Sequence, residues 1–144
     1  MRVKSILSAK GDDVVKIAPG ESIRTCLREL KTHNFGALVV SEDGTTVAGI
    51  ISERDLVRAM VDHGADLLDM TVGDLMTRQV QTCSPDDDIE DVMDRMTHGR
   101  FRHVPVVDDG TLIGVVSIGD LVKHRMGELV DETKALREYV TDYR

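Results

Sequence analysis

Apolar and polar positions along the chain follow one pattern that runs through twice. Ile23, Cys26, Leu27 and Leu30 recur at the same spacing as Ile89, Val92, Met93 and Met96. The i, i+3, i+4, i+7 rhythm predicts one buried face on each of two amphipathic helices. Ahead of them, Val14-Val15-Lys16-Ile17 and Val80-Gln81-Thr82-Cys83 read as short extended segments. Pro19-Gly20-Glu21 and Ser84-Pro85-Asp86-Asp87 read as the helix starts, proline first and acid in the opening turn, with Ser84 as a cap. Behind the helices, Phe35 and Phe101 align just before the strands Ala37-Leu38-Val39-Val40 and Val104-Pro105-Val106-Val107. The turns Glu42-Asp43-Gly44 and Asp108-Asp109-Gly110 lead into return strands ending in Gly49-Ile50-Ile51 and Gly114-Val115-Val116. The second turn is a strong hairpin signal.

Each copy then turns the same corner. Gly49-Ile50-Ile51-Ser52-Glu53-Arg54-Asp55-Leu56 returns as Gly114-Val115-Val116-Ser117-Ile118-Gly119-Asp120-Leu121. The apolar half suits a buried strand, and Ser-x-x-Asp suits a capping box at the start of a helix. Such a corner sits at the rim of a sheet, where ligands bind in α/β folds. A carboxylate held there can also accept both hydroxyls of a ribose diol, which capping does not exclude.

Val3-Lys4-Ser5-Ile6-Leu7 opens the first unit and resembles Val72-Gly73-Asp74-Leu75-Met76, which opens the second. The expected fold is α/β (α+β): two β-α-β-β-α units, residues 1–63 and 69–126. Neither copy could bury much surface alone, so the two should pack on each other through their sheets. The join is Asp62-His63-Gly64-Ala65-Asp66, where Gly64 ends a helix. Residues 127–144 add an amphipathic helix with Leu129, Val130, Thr133, Leu136 and Val140 on one stripe. An exposed stripe of that kind packs on the core or on a second copy of the chain. The dimer contact is the preferred reading.

Composition narrows the function. The chain has 144 residues, 41% apolar, and a formal charge of −8. That charge opposes general phosphate-backbone binding. With no Trp, two Phe and two Tyr, base stacking on aromatic rings has little to work with. A single nucleotide is compatible, because screening confines the field to about 8 Å. Cys26 and Cys83 stand far apart without a C-x-x-C and read as buried free thiols rather than a disulfide or metal site. His33, His63, His98, His103 and His124 show no zinc-ligand spacing. Met76, Met93 and Met96 read as core filling. No stretch approaches the roughly 18 apolar residues of a membrane span, so a cytoplasmic protein is expected. A P-loop, a G-x-G-x-x-G after a strand, an H-E-x-x-H and a nucleophile elbow are all missing, so catalysis is not expected.

The repeated unit with G-h-h-S-x-x-D at its second corner resembles the CBS domain, the cystathionine β-synthase motif. Arg100-Phe101-Arg102-His103-Val104-Pro105-Val106-Val107-Asp108, followed by Gly114 through Leu121, is a strong instance of that pattern. The resemblance covers nearly the whole chain and is closest to small stand-alone tandem proteins, or Bateman modules. It implies a pseudo-twofold pair with two clefts and a regulatory role. It also implies adenosine ligands, among them AMP, ADP, ATP, S-adenosylmethionine and NAD-type dinucleotides, with no other cofactor required. The motif aspartate would hold the ribose. Carried over residue by residue, the second and preferred site would use Thr82, Cys83, Ser84, Arg102, His103, Val104, Pro105, Ser117 and Asp120. The first would use Lys16, Ile17, Ala18, Gly36, Ala37, Leu38, Ser52 and Asp55; since Gly36 and Ala37 stand where the second copy has Arg102 and His103, it must borrow a cation such as Arg54 or Lys16, bind an uncharged moiety, or stay empty. The expected partners are the small molecule and a second copy of the chain, without nucleic acid or membrane. The alternative is a dimeric scaffold with vestigial clefts that recruits an unidentified protein.

Overall fold

The computed structural model describes residues 1–10 and 14–142. Helix α1 (Val3–Lys10) is followed by β1 (Lys16–Ile17), α2 (Ile23–His33), β2 (Ala37–Val40), β3 (Gly49–Ser52) and α3 (Glu53–His63). A 3-10 turn (Gly64–Asp69) leads to α4 (Val72–Leu75), α5 (Ile89–Gly99), β4 (His103–Asp108), β5 (Thr111–Ser117) and α6 (Ile118–Asp142). Strand β1 runs parallel to β2, which pairs antiparallel with β3. In the second copy β4 and β5 form an antiparallel hairpin. Its turn places Asp109 and Gly110 at φ of 50° and 78°, the positive values that a two-residue type I′ turn requires.

Several elements differ from the sequence expectation. Val80 to Cys83 forms no strand: only Cys83 bridges to Val106, matching the pairing of Ile17 with Val40 in the first copy. The paired helices begin later than proline and acid suggest. Ser22 caps α2 with its hydroxyl, and α5 starts at Ile89. Ser84 instead holds a turn, its hydroxyl accepting from the Asp86 amide while its own amide donates to Asp87. The segment from residue 127 is not a separate element but the continuation of α6; positions 143 and 144 lie outside the described residues.

The largest difference concerns the opening turns. Each was expected in its own unit, yet each packs into the other. Val3 and Ile6 are buried with Cys83, Ile89, Val92, Met96, Val104, Val106, Val116 and Leu121. Val72 and Met76 are buried with Ile17, Ile23, Leu38, Ile51 and Leu56. Matching backbone bonds fasten both exchanges. The Val3 amide donates to Asp87 and that of Lys4 to Pro85, as those of Val72 and Gly73 do to Glu21 and Pro19. Ile89 donates to Met1 just as Ile23 donates to Met70. The pseudo-twofold is written in these pairs.

The exchange explains the motif glycines. A Cβ on Gly49 would sit 2.7 Å from the Thr77 carbonyl and 2.9 Å from the Met76 sulfur, and one on Gly114 would sit 2.5 Å from Leu7 Cδ2. The Thr77 carbonyl is backbone and cannot give way, so glycine is required at position 49, where the other copy's turn lies on the strand; at Gly114 the contact is the end of the flexible Leu7 side chain, which can shift. Cys26 and Cys83 are buried free thiols, as expected. Burial pushes both thiols up to about 11, which keeps them protonated and unreactive at neutral pH.

Candidate functional site

Both corners form the capping box that the sequence predicts. The Ser52 hydroxyl accepts from the Asp55 amide, while Asp55 Oδ2 accepts from the Ser52 amide at 2.9 Å and its hydroxyl at 3.0 Å. Ser117 and Asp120 repeat the backbone arrangement at 2.9 and 3.1 Å. The box fixes each carboxylate at the mouth of a groove between the two copies, so capping and groove lining coexist on one residue.

The Asp55 groove measures about 500 Å³, within the ordinary range for small-molecule sites. Ser52, Glu53, Arg54 and Asp55 line one wall with Arg58, one turn further along α3. The opposite wall comes from the second copy: Thr77, Gln79, Val80 and Gln81, then Arg100, Phe101, Arg102 and His103. Four arginines therefore line one groove, against the two carboxylates of Glu53 and Asp55. Among the described residues none of them is in an ion pair. Arg54 reaches the Arg100 carbonyl at 3.3 Å, tying the copies together. Asp55 Oδ1 has only a 3.5 Å contact from the Thr77 hydroxyl, so one acceptor oxygen remains open beside the cations. In a chain of net charge −8, this groove is a local positive field.

The Asp120 groove is smaller, about 310 Å³, and more apolar in its side chains. Leu7, Val14, Val15, Phe35, Ala37 and Val115 line it with Lys10, Asn34, His103, Ser117 and Asp120. Lys10 Nζ donates to Asp120 Oδ2 at 2.8 Å and to the Val115 carbonyl at 3.0 Å. Burial pushes the Asp120 carboxyl up, but the Lys10 ammonium and the Ser117 amide outweigh it and hold the group below the usual carboxylate range. His103 and Gly36 border both grooves, with the imidazole lying over the glycine. Burial, stronger than the pull of Glu53, holds His103 below the usual histidine range, so the wall between the grooves is uncharged at neutral pH.

The structure regroups the sequence-derived residues. Arg102 belongs with Ser52 and Asp55, not with Ser117 and Asp120. Ala37 belongs with Asp120, not with Asp55. The residues expected to hold the base on each strand mostly lie elsewhere. Ile17, Leu38, Cys83, Val104 and Pro105 are buried, and Lys16, Ala18, Thr82 and Ser84 line neither groove. Lys16 is turned to the Gly44 carbonyl. The cation that the first site was expected to borrow comes from across the pseudo-twofold as Arg100 and Arg102, beside Arg54. The sequence reading missed Arg58, Gln79, Gln81, Phe101 and Lys10 as groove residues. The alignment of Phe35 with Phe101 carried the signal, because those two rings line opposite grooves.

Comparison with known proteins agrees with this architecture. The family model for the CBS domain matches residues 3–62 and again 72–127. A CBS domain-containing mitochondrial protein of Arabidopsis thaliana is 36% identical over 124 residues; the match covers 83% of this chain and 60% of that protein. The crystal structure of a CBS-domain containing protein from Agrobacterium tumefaciens superimposes with a TM-score of 0.83 at 45% identity, covering 87% of this chain and 99% of that one. A CBS domain pair solved in complex with 5′-methylthioadenosine and S-adenosyl-L-methionine gives a TM-score of 0.78 at 28% identity, covering 89% and 98%.

Proposed function

Because the chain belongs to the CBS-domain family and carries the domain twice, we propose that it is a ligand-sensing regulatory module. Its ligand is an adenine nucleotide of the AMP, ADP, ATP or NAD type, bound in the Asp55 groove. The observation that carries this reading is the Asp55 carboxylate, with an open oxygen, in a groove lined by four arginines that are in no ion pair among the described residues. Asp55 accepts the ribose hydroxyls, Ile50, Val80 and Phe101 give the base an apolar wall, and Arg54, Arg58, Arg100 and Arg102 receive the phosphates. Guanidinium is suited to that task because its fork matches phosphate oxygens. The adenosine ligands of the related domain pair support the base and ribose part of this assignment. Since the groove is made from both copies, a ligand there favours one packing of the copies over another.

Calorimetric titration tests the phosphate part. Affinity should rise from 5′-methylthioadenosine to AMP, ADP and ATP, and fall as salt rises. Arg102→Ala should weaken ADP and ATP by about 10- to 150-fold, the loss of one charge-assisted contact, and leave methylthioadenosine unchanged. Equal affinities along the series would remove the phosphate assignment. No binding by any of the four would favour an interaction scaffold instead.

We also assign a second copy of the chain to the exposed apolar faces of α3 and α6. Val57 and Val61 are 65% and 84% exposed, and Val122 and Met126 stand on the equivalent helix of the other repeat. Patches related by the pseudo-twofold can be self-complementary, as a twofold dimer requires. Light scattering should return twice the 15.9 kDa chain mass. A single-chain mass at tens of micromolar would refute the pairing and leave the faces to a different protein partner.

A further inference from the structure

The two grooves share one corner motif but differ at a residue from the exchanged helix. Lys10 ends α1 and reaches across the pseudo-twofold to the corner of the second copy. Its ammonium spans that corner, holding Asp120 Oδ2 and the Val115 carbonyl together. The pair is half-sheltered, with side-chain exposures of 40% and 25%. At the same offset after the matching opening turn, the other groove has Gln79, which is uncharged, and among the described residues Asp55 is in no ion pair. Among the described residues lining the Asp120 groove Lys10 is the one Lys or Arg, and it is already engaged.

We propose that Lys10 sets the occupancy of the Asp120 groove: its ammonium holds Oδ2, the oxygen that the Ser117 amide also holds, so a ribose diol arriving at Oδ1 must share the carboxylate with that cation or displace it. The proposal rests on the reading of the motif aspartates as ribose acceptors. It makes the wild-type chain a one-site binder, with the cationic Asp55 groove filled first. It also links the second groove to α1. Leu7, one helical turn before Lys10, lies against Gly114, so displacing Lys10 loosens the last turn of the helix from the strand it covers.

The test isolates the Asp120 groove by titrating 5′-methylthioadenosine, which carries no phosphate, into Asp55→Ala protein with and without Lys10→Met. Lys10→Met should tighten binding by up to about fivefold, the loss of a competing ion pair, and Lys10→Gln should do the same. In protein with Asp55 intact, either substitution should raise the stoichiometry from one to two. Unchanged or weaker binding in both Lys10 variants, with melting temperatures close to the parent's, would overturn the proposal; weaker binding would make Lys10 a ligand contact. If protein with Asp55 intact binds no adenosine compound in either form, the failure belongs to the underlying ribose reading instead.

Discussion

Asp55→Ala weakens ADP binding by about 30- to 1000-fold, while Asp120→Ala leaves it nearly unchanged. The first figure corresponds to about two hydrogen bonds from ribose hydroxyls to a charged acceptor, about 2–4 kcal/mol. Both substitutions remove the third-position partner of a capping box, a loss of about 1 kcal/mol of stability that is common to the two variants. Asp120→Ala loses the Lys10 ion pair as well, so affinity rather than melting reads out the ribose role. The sequence alone points the other way, because Arg102 and His103 precede the strand of the second copy. The geometry reverses it: Arg102 lines the groove of Asp55, and Asp120 already holds Lys10 at 2.8 Å. Calorimetric titration of both variants checks the asymmetry, and equal losses would refute it.

Ile6→Ala lowers stability by about 2–5 kcal/mol, the usual range for emptying a fully buried aliphatic site. Ile6 is 1% exposed, and it is packed among residues of the second copy. For a chain of this size each kcal/mol moves the melting temperature by about 2–4 °C, so a drop of roughly 5–15 °C is expected. An opening turn that merely preceded its own unit would be peripheral and would lose little. Chemical denaturation gives the free energy directly, and a loss below about 1 kcal/mol would contradict the exchange of helices.

Much of the fold is legible in the sequence because its causes are local. The buried faces of α2 and α5 follow from four apolar positions each, the I′ hairpin from Asp109-Gly110, and both helix caps from Ser-x-x-Asp. The boundary of α6 was not legible. Nothing between Lys123 and Leu129 breaks a helix, Gly127 alone being tolerable at a modest cost, so one helix runs through the expected join. The exchange of α1 and α4 was invisible for a different reason. Their apolar residues fit either core equally well, so the local pattern does not say which core they reach. The grooves inherit that ambiguity. Each is made from the corner of one copy and the pre-strand loop of the other, so residues assigned within a repeat are split between sites. Arg102 and Ala37 changed grooves for this reason, and Ile17, Leu38, Cys83 and Val104 proved to be core.

The central claim is that a phosphorylated adenosine sits between the copies with its ribose on Asp55. A crystal structure of the protein grown with ADP measures this directly. Density for the ribose within hydrogen-bonding distance of Asp55, and for the phosphates among Arg54, Arg58, Arg100 and Arg102, is the predicted result. An ADP molecule seated anywhere else, with that groove holding only water, would contradict it.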